Sequence, residues 1–165
     1  MYAGNMKVAR EVINAIPRKR LFTQIEPDGK QPHELRRTLA FGYSQFNLSH
    51  FIDIFMMARK IGISIDNATS EDGRSFYKAM DFLVPYVGKD VKAWPYQQIS
   101  EWKYKQQEFC KDLYRTFLLN PERKDYLKLY KTHRIIDWKD RFNLLWMEAD
   151  DVDLSLIQIS EPTRP

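Results

Sequence analysis

The chain of 165 residues has one cysteine, Cys110, which excludes an internal disulfide and a thiolate metal cluster, since both need further cysteines at fixed separations. The three histidines, His33, His50 and His133, show no HxxxH spacing and no neighbouring carboxylate pair, so no metal site is expected. No apolar run approaches the roughly 20 residues that span a bilayer, and no charged start leads into an apolar stretch with a small-residue cleavage site. Membrane insertion is therefore not expected. Dense runs of one charge are also missing. The 26 Lys and Arg are interleaved with 22 Asp and Glu, so the net charge of +4 leaves room for an acidic partner without supplying a nucleic-acid-binding arm.

What the chain does contain is apolar and aromatic mass: 44% of its residues are hydrophobic and 14% aromatic, enough for one compact core. Aromatic rings fill helical cores and also form the flat platforms on which sugar rings lie, and for any single ring the core is the commoner use.

Helical spacing dominates. Residues Met1 to Ala15 carry Met6, Val8, Val12 and Ile13 on one face with no clear cap ahead, as though the chain began inside an element. After Pro17 to Arg20 an extended segment from Leu21 leads to a turn at Glu26-Pro27-Asp28-Gly29. Pro32, suited to a first helical position, opens a predicted helix running unbroken to Gly62 and apolar on nearly all sides, as a helix buried among helices would be. Further helices are predicted over Ser75 to Val84, Ser100 to Leu119 and, after Asn120-Pro121, through Lys131, whereas Ile135 to Trp146 is too mixed to assign. No alternating strand pattern persists. Residues 1–150 read as one all-α unit, and 151–165 as a tail whose LSLIQISEPTRP, from Leu154, resembles the translation of a sequencing adapter.

On an ideal helix with Tyr43 at zero, Arg36 falls about 20° away, Asn47 about 40°, and His50 about 20° on the other side. Four polar groups on one stripe of an apolar helix either face a water-filled cleft or satisfy one another, because unpartnered burial costs a few kcal/mol each.

The run Lys19 to Leu48, KRLFTQIEPDGKQPHELRRTLAFGYSQFNL, resembles a segment of alginate lyase family proteins, approximately KRI..QI.PDG.QP.EL.RT....YS..NL. Asp72-Gly73-Arg74-Ser75, the stretch from Ala79 to Tyr86 (AMDFLVPY) and Trp94-Pro95-Tyr96-Gln97-Gln98 follow in the family's order. The resemblance implies a partial (α/α) toroid built of antiparallel helix pairs, export of the parent protein to the periplasm or beyond, and β-elimination on an acidic polysaccharide with no metal or organic cofactor. It places Tyr43 on the family's proton-transferring tyrosine and, through the Glu-Leu-x-Arg motif, Arg37 on the arginine that neutralises the uronate. Helical geometry favours Arg36 instead, since Arg37 lies about 120° from Tyr43 unless the helix bends or unwinds. Both arginines stay candidates.

Asn47, Tyr86, Trp94 and Tyr96 are candidate sugar contacts, each with a structural alternative. The family's Asn-Asn-His segment, whose histidine shares the proton transfer, does not occur in these residues, so the chain alone is expected to be inactive. The rival reading is a noncatalytic helical module of the same fold that binds glycans or proteins.

Overall fold

A computed structural model describes residues 4–135 and 140–142. Contacts divide the chain into units 1–134 and 135–165, and the fold described is that of the first. The boundary at 150, the adapter-like tail and most of the unassigned Ile135 to Trp146 stretch lie outside the described residues. Among the described residues the secondary structure is all helical, with two isolated bridges, Leu39 with Gln98 and Thr69 with Ser75, in place of strands.

Helix α1 spans Met6–Ile16 and does have a cap, because the Asn5 side chain accepts from the Val8 amide at 3.2 Å. None of its residues is buried. Pro17, with φ already helical, continues the chain into a wide π turn, Pro17–Leu21, and then α2, Phe22–Gln24. The expected extended segment is therefore helical down to Gln24, and the turn seats Leu21 and Ile25 fully in the core. In the following turn the Gly29 amide donates to the Glu26 carbonyl at 2.9 Å with φ at 86°. A β-carbon on Gly29 would lie 2.2 Å from the Lys78 carbonyl oxygen, so both the conformation and the close approach require glycine.

The long helix predicted from Pro32 to Gly62 is broken. Helix α3 covers Pro32–Leu35, residues 36–39 are unwound, and α4 covers Ala40–Arg59. In a continuous helix the amides of Ala40, Phe41 and Gly42 would donate to the carbonyls of residues 36, 37 and 38. Here Ala40 donates to the Gln97 carbonyl at 3.0 Å, and Phe41 and Gly42 donate to the Gln98 side-chain oxygen at 3.0 and 3.4 Å. Ile99 donates to the Thr38 carbonyl at 3.1 Å. The 97–99 segment thus takes over the first turn of α4.

Helix α5, Phe76–Leu83, is capped by Ser75, whose hydroxyl accepts from the Lys78 amide at 3.2 Å. Helix α6 runs Trp102–Leu119, and α7 runs Lys124–His133, later in both start and end than its sequence pattern suggests. Contacts between α4 and α6 advance together along the chain, Phe41 with Phe109, Gln45 with Asp112 and Asp53 with Arg115, so these helices are parallel. Those between α6 and α7 run in opposite senses, Gln107 with His133 and Tyr114 with Tyr130, which makes an antiparallel pair. Phe41, Phe55, Phe76, Phe109 and Tyr126 fill the core between them.

Candidate active site

Unwinding at 36–39 decides the position of both arginines. Arg37 turns back over α4, and its guanidinium carbon lies 3.9 Å from the centroid of the Tyr43 ring. A guanidinium stacked on a phenol face is attracted by the ring's negative face, by about 0.5–1 kcal/mol where exposed. Its fork of N–H donors stays free at the edges. Among the described residues no carboxylate pairs with Arg37 and nothing hydrogen-bonds the Tyr43 hydroxyl. Arg36 does not share the Tyr43 face, because the ideal-helix assumption that placed it there fails at the break. It lines a separate open cleft of about 640 Å³ with Lys30, Pro32 and Tyr96.

Of the predicted stripe, Tyr43, Asn47 and His50 remain on α4. The Asn47 amide donates to the side-chain oxygens of Gln24 at 3.0 Å and Gln31 at 2.8 Å, and Gln31 donates to the Ser44 carbonyl at 3.2 Å. Asn47 therefore ties α4 to the chain preceding it. The His50 ring shares a hydrogen bond of 2.8 Å with the Phe46 carbonyl of its own helix. Trp94 is 5% exposed, enclosed by Phe41 at 5.4 Å, Tyr86 at 4.8 Å and Tyr96 at 5.2 Å between ring centroids. It offers no free face, whereas Tyr86 and Tyr96 are half-buried and Tyr96 edges the cleft.

Gly42, Glu101 and Lys105, beside Tyr43, were not singled out from the sequence. A hollow of about 250 Å³ beside Tyr43 is lined by Gly42, Phe46, Glu101 and Lys105, together with Leu39. Lys105 crosses α4 at Gly42, where any β-carbon would press on its stem at 3.1–3.3 Å. Glu101, just before α6, has φ 60° and ψ 18°, the one non-glycine residue with positive φ among those described. That conformation costs about 1–2 kcal/mol for an L-residue, and such strain concentrates where a side chain must be aimed. The only local sign in the sequence was the i, i+4 spacing of Glu101 and Lys105.

Behind this face, Asp112 on α6 is buried and accepts from Gln45 at 2.6 Å, while Arg115, paired also with Asp53, approaches it at 3.3 Å. Burial pushes its carboxyl up to about 7 against the pull of Gln45 and Arg115. Burial, with Asp112 nearby, pushes the Cys110 thiol up to about 12, so it serves as a small apolar side chain. Among the described residues no three His, Cys, Asp or Glu side chains gather as metal ligands, and no helix is long and apolar enough to cross a membrane.

The family model described as alginate lyase matches residues 1–94, more than half of the chain and the part that holds Arg37 and Tyr43. The chain belongs to the alginate lyase family. Its fold is similar to the crystal structure of an alginate lyase from Bacteroides ovatus, with 48% sequence identity and a TM-score of 0.83 over 87% of this chain. The all-α fold is thus of the toroid type that the alginate lyase resemblance implied. This alginate lyase family chain spans 37% of the length of that relative. No curated protein matches it. Glu101 and Lys105 fall beyond the residues matched by the family model.

Proposed function

We propose that the chain is the part of a polysaccharide lyase that carries its proton-transferring tyrosine, acting on a uronic-acid-containing, alginate-like polysaccharide by β-elimination. The observation that carries this reading is Arg37 laid over Tyr43 at 3.9 Å with its donor fork unpaired among the described residues. A planar guanidinium can grip a uronate carboxylate at two points and draw off its charge, which acidifies the proton on the neighbouring carbon. That proton is removed, its electron pair becomes the new carbon–carbon double bond, and the glycosidic oxygen departs with a proton. Tyr43, beside the gripped carboxylate, supplies the hydroxyl for proton transfer.

Tyr96 and Arg36 extend the polar surface along the neighbouring cleft, and Trp94 supports Tyr96 and Tyr86 from the core. Asn47 acts by holding the start of α4 in place. Neither a metal nor an organic cofactor takes part, and the parent protein works in the periplasm or outside the cell. These residues contain no Asn-Asn-His, and by this reading they do not catalyse alone.

The test is ultraviolet absorbance of the unsaturated uronate product, using the open reading frame that contains this chain and several polyuronates. Turnover abolished by Tyr43→Phe supports the reading. Glycan binding without any product would favour the noncatalytic module.

A further inference from the structure

Lys105 is the second cation of the Tyr43 surroundings, and it is poorly satisfied. Its side chain is only 20% exposed, yet its nearest carboxylate, Glu101, lies at 4.0 Å, too far for a hydrogen bond. The Tyr104 ring, centred 5.0 Å from the ammonium, offers a weak further contact. An ammonium whose stem is packed and whose carboxylate partner stands beyond hydrogen-bond distance gains when a second carboxylate reaches it. Two features aim it. Gly42 leaves the space across which the lysine stem lies, and the left-handed backbone at Glu101 sets the acid at the mouth of the same hollow.

We propose that Lys105 is a substrate-binding residue that grips the carboxylate of the uronate next to the reacting one, and that Glu101 holds the position which this carboxylate takes over. This rests on the lyase reading of Arg37 and Tyr43. An acidic polysaccharide presents one carboxylate per sugar, so a pair of cations around one tyrosine selects consecutive uronates over isolated ones. Glu101 then acts as a competitor, pairing with Lys105 and repelling the incoming anion.

Isothermal titration calorimetry of the 165-residue chain with a uronic acid trimer prepared from alginate, and with its methyl ester, tests this. Lys105→Met keeps the stem across Gly42 and is expected to weaken trimer binding by about tenfold or more, the loss of one charge-assisted contact, without changing ester binding. Glu101→Gln is expected to tighten trimer binding. Gly42→Ala, which retains the charge but displaces the stem, should weaken it. Lys103→Met, which removes the same charge from an exposed position on α6, should leave it near wild type. Equal losses in Lys105→Met and Lys103→Met, or an unchanged Lys105→Met in a chain that Arg37→Ala does weaken, would overturn the role of Lys105 and leave the lyase reading standing. A wild-type chain that does not distinguish trimer from ester would overturn both.

Discussion

Asp112 shows how one buried carboxyl can set a pH dependence. Its folded value is pushed up to about 7 by burial, whereas an unfolded aspartate titrates near 4. Across that window the folded chain keeps a proton that the unfolded chain has released, so stability is fully present below about pH 4, falls as pH rises by up to about 1.4 kcal/mol per unit, and levels off above about pH 7. Asp112→Asn should flatten this slope, read as the difference in urea midpoint between variant and wild type from about pH 4 to pH 8. Trp94 gives a second test at this scale. Its ring nitrogen is buried with no hydrogen-bond partner among the described residues, so Trp94→Phe should cost about 1 kcal/mol or less, while Trp94→Ala should cost about 3–5 kcal/mol by opening the aromatic cluster. Chemical denaturation separates the two. If the ring were a sugar platform, Trp94→Phe would instead change glycan affinity with little change in stability.

The break between α3 and α4 is the element on which the proposed site depends. Gln98 accepts from two amides that a continuous helix would have paired internally, and the same segment pins Thr38 and Ala40 on either side of the turn. Gln98→Ala should therefore cost about 1–2 kcal/mol in urea unfolding, as for loss of a helix cap. It should also weaken uronate binding, although among the described residues Gln98 makes no hydrogen bond to the Tyr43 or Arg37 side chain, because the turn carrying Arg37 is released. Gly29→Ala tests another junction. A β-carbon 2.2 Å from the Lys78 carbonyl, added to a positive φ, should destabilise the chain by several kcal/mol unless the turn and α5 part. A melting temperature near wild type would show that this junction yields easily.

Over the whole first unit, protection should follow burial. Helix α4 has ten buried residues and packs along α6, whereas α1 has none. Native-state hydrogen exchange of the chain is expected to be slowest in the middle of α4 and fastest in α1, the exposed helix opening without the core. Uniform protection through α1 would show that its apolar face, with Met6, Val8 and Val12 exposed here, is covered in solution.

Helical character, the turn at Gly29 and the starts of α5 and α6 to within two residues were legible because they follow from local spacing, caps and turn residues acting within a few positions, whereas the expectation of α4 buried on nearly all sides fails at Phe46 and Met57, which are exposed. The motif carrying Tyr43 and Arg37 was legible as well, since those residues lie close in sequence. What local rules could not decide was which arginine meets the tyrosine. No proline interrupts the stretch after Pro32, so local rules carry the helix on unbroken and put Arg36 on the Tyr43 face. Gln97 and Gln98, some 57 positions beyond the amides they bind, unwind one turn and exchange the two arginines. The same distance along the chain hid Lys105 and Glu101, which reach Tyr43 only because α4 and α6 lie side by side with a glycine between them. Composition and periodicity determined that this chain is helical, and the family motif supplied Tyr43 and Arg37 as candidates for chemistry. Hydrogen bonds and packing between remote segments decided which of them stand together, because a backbone amide takes whichever acceptor the tertiary fold brings to it.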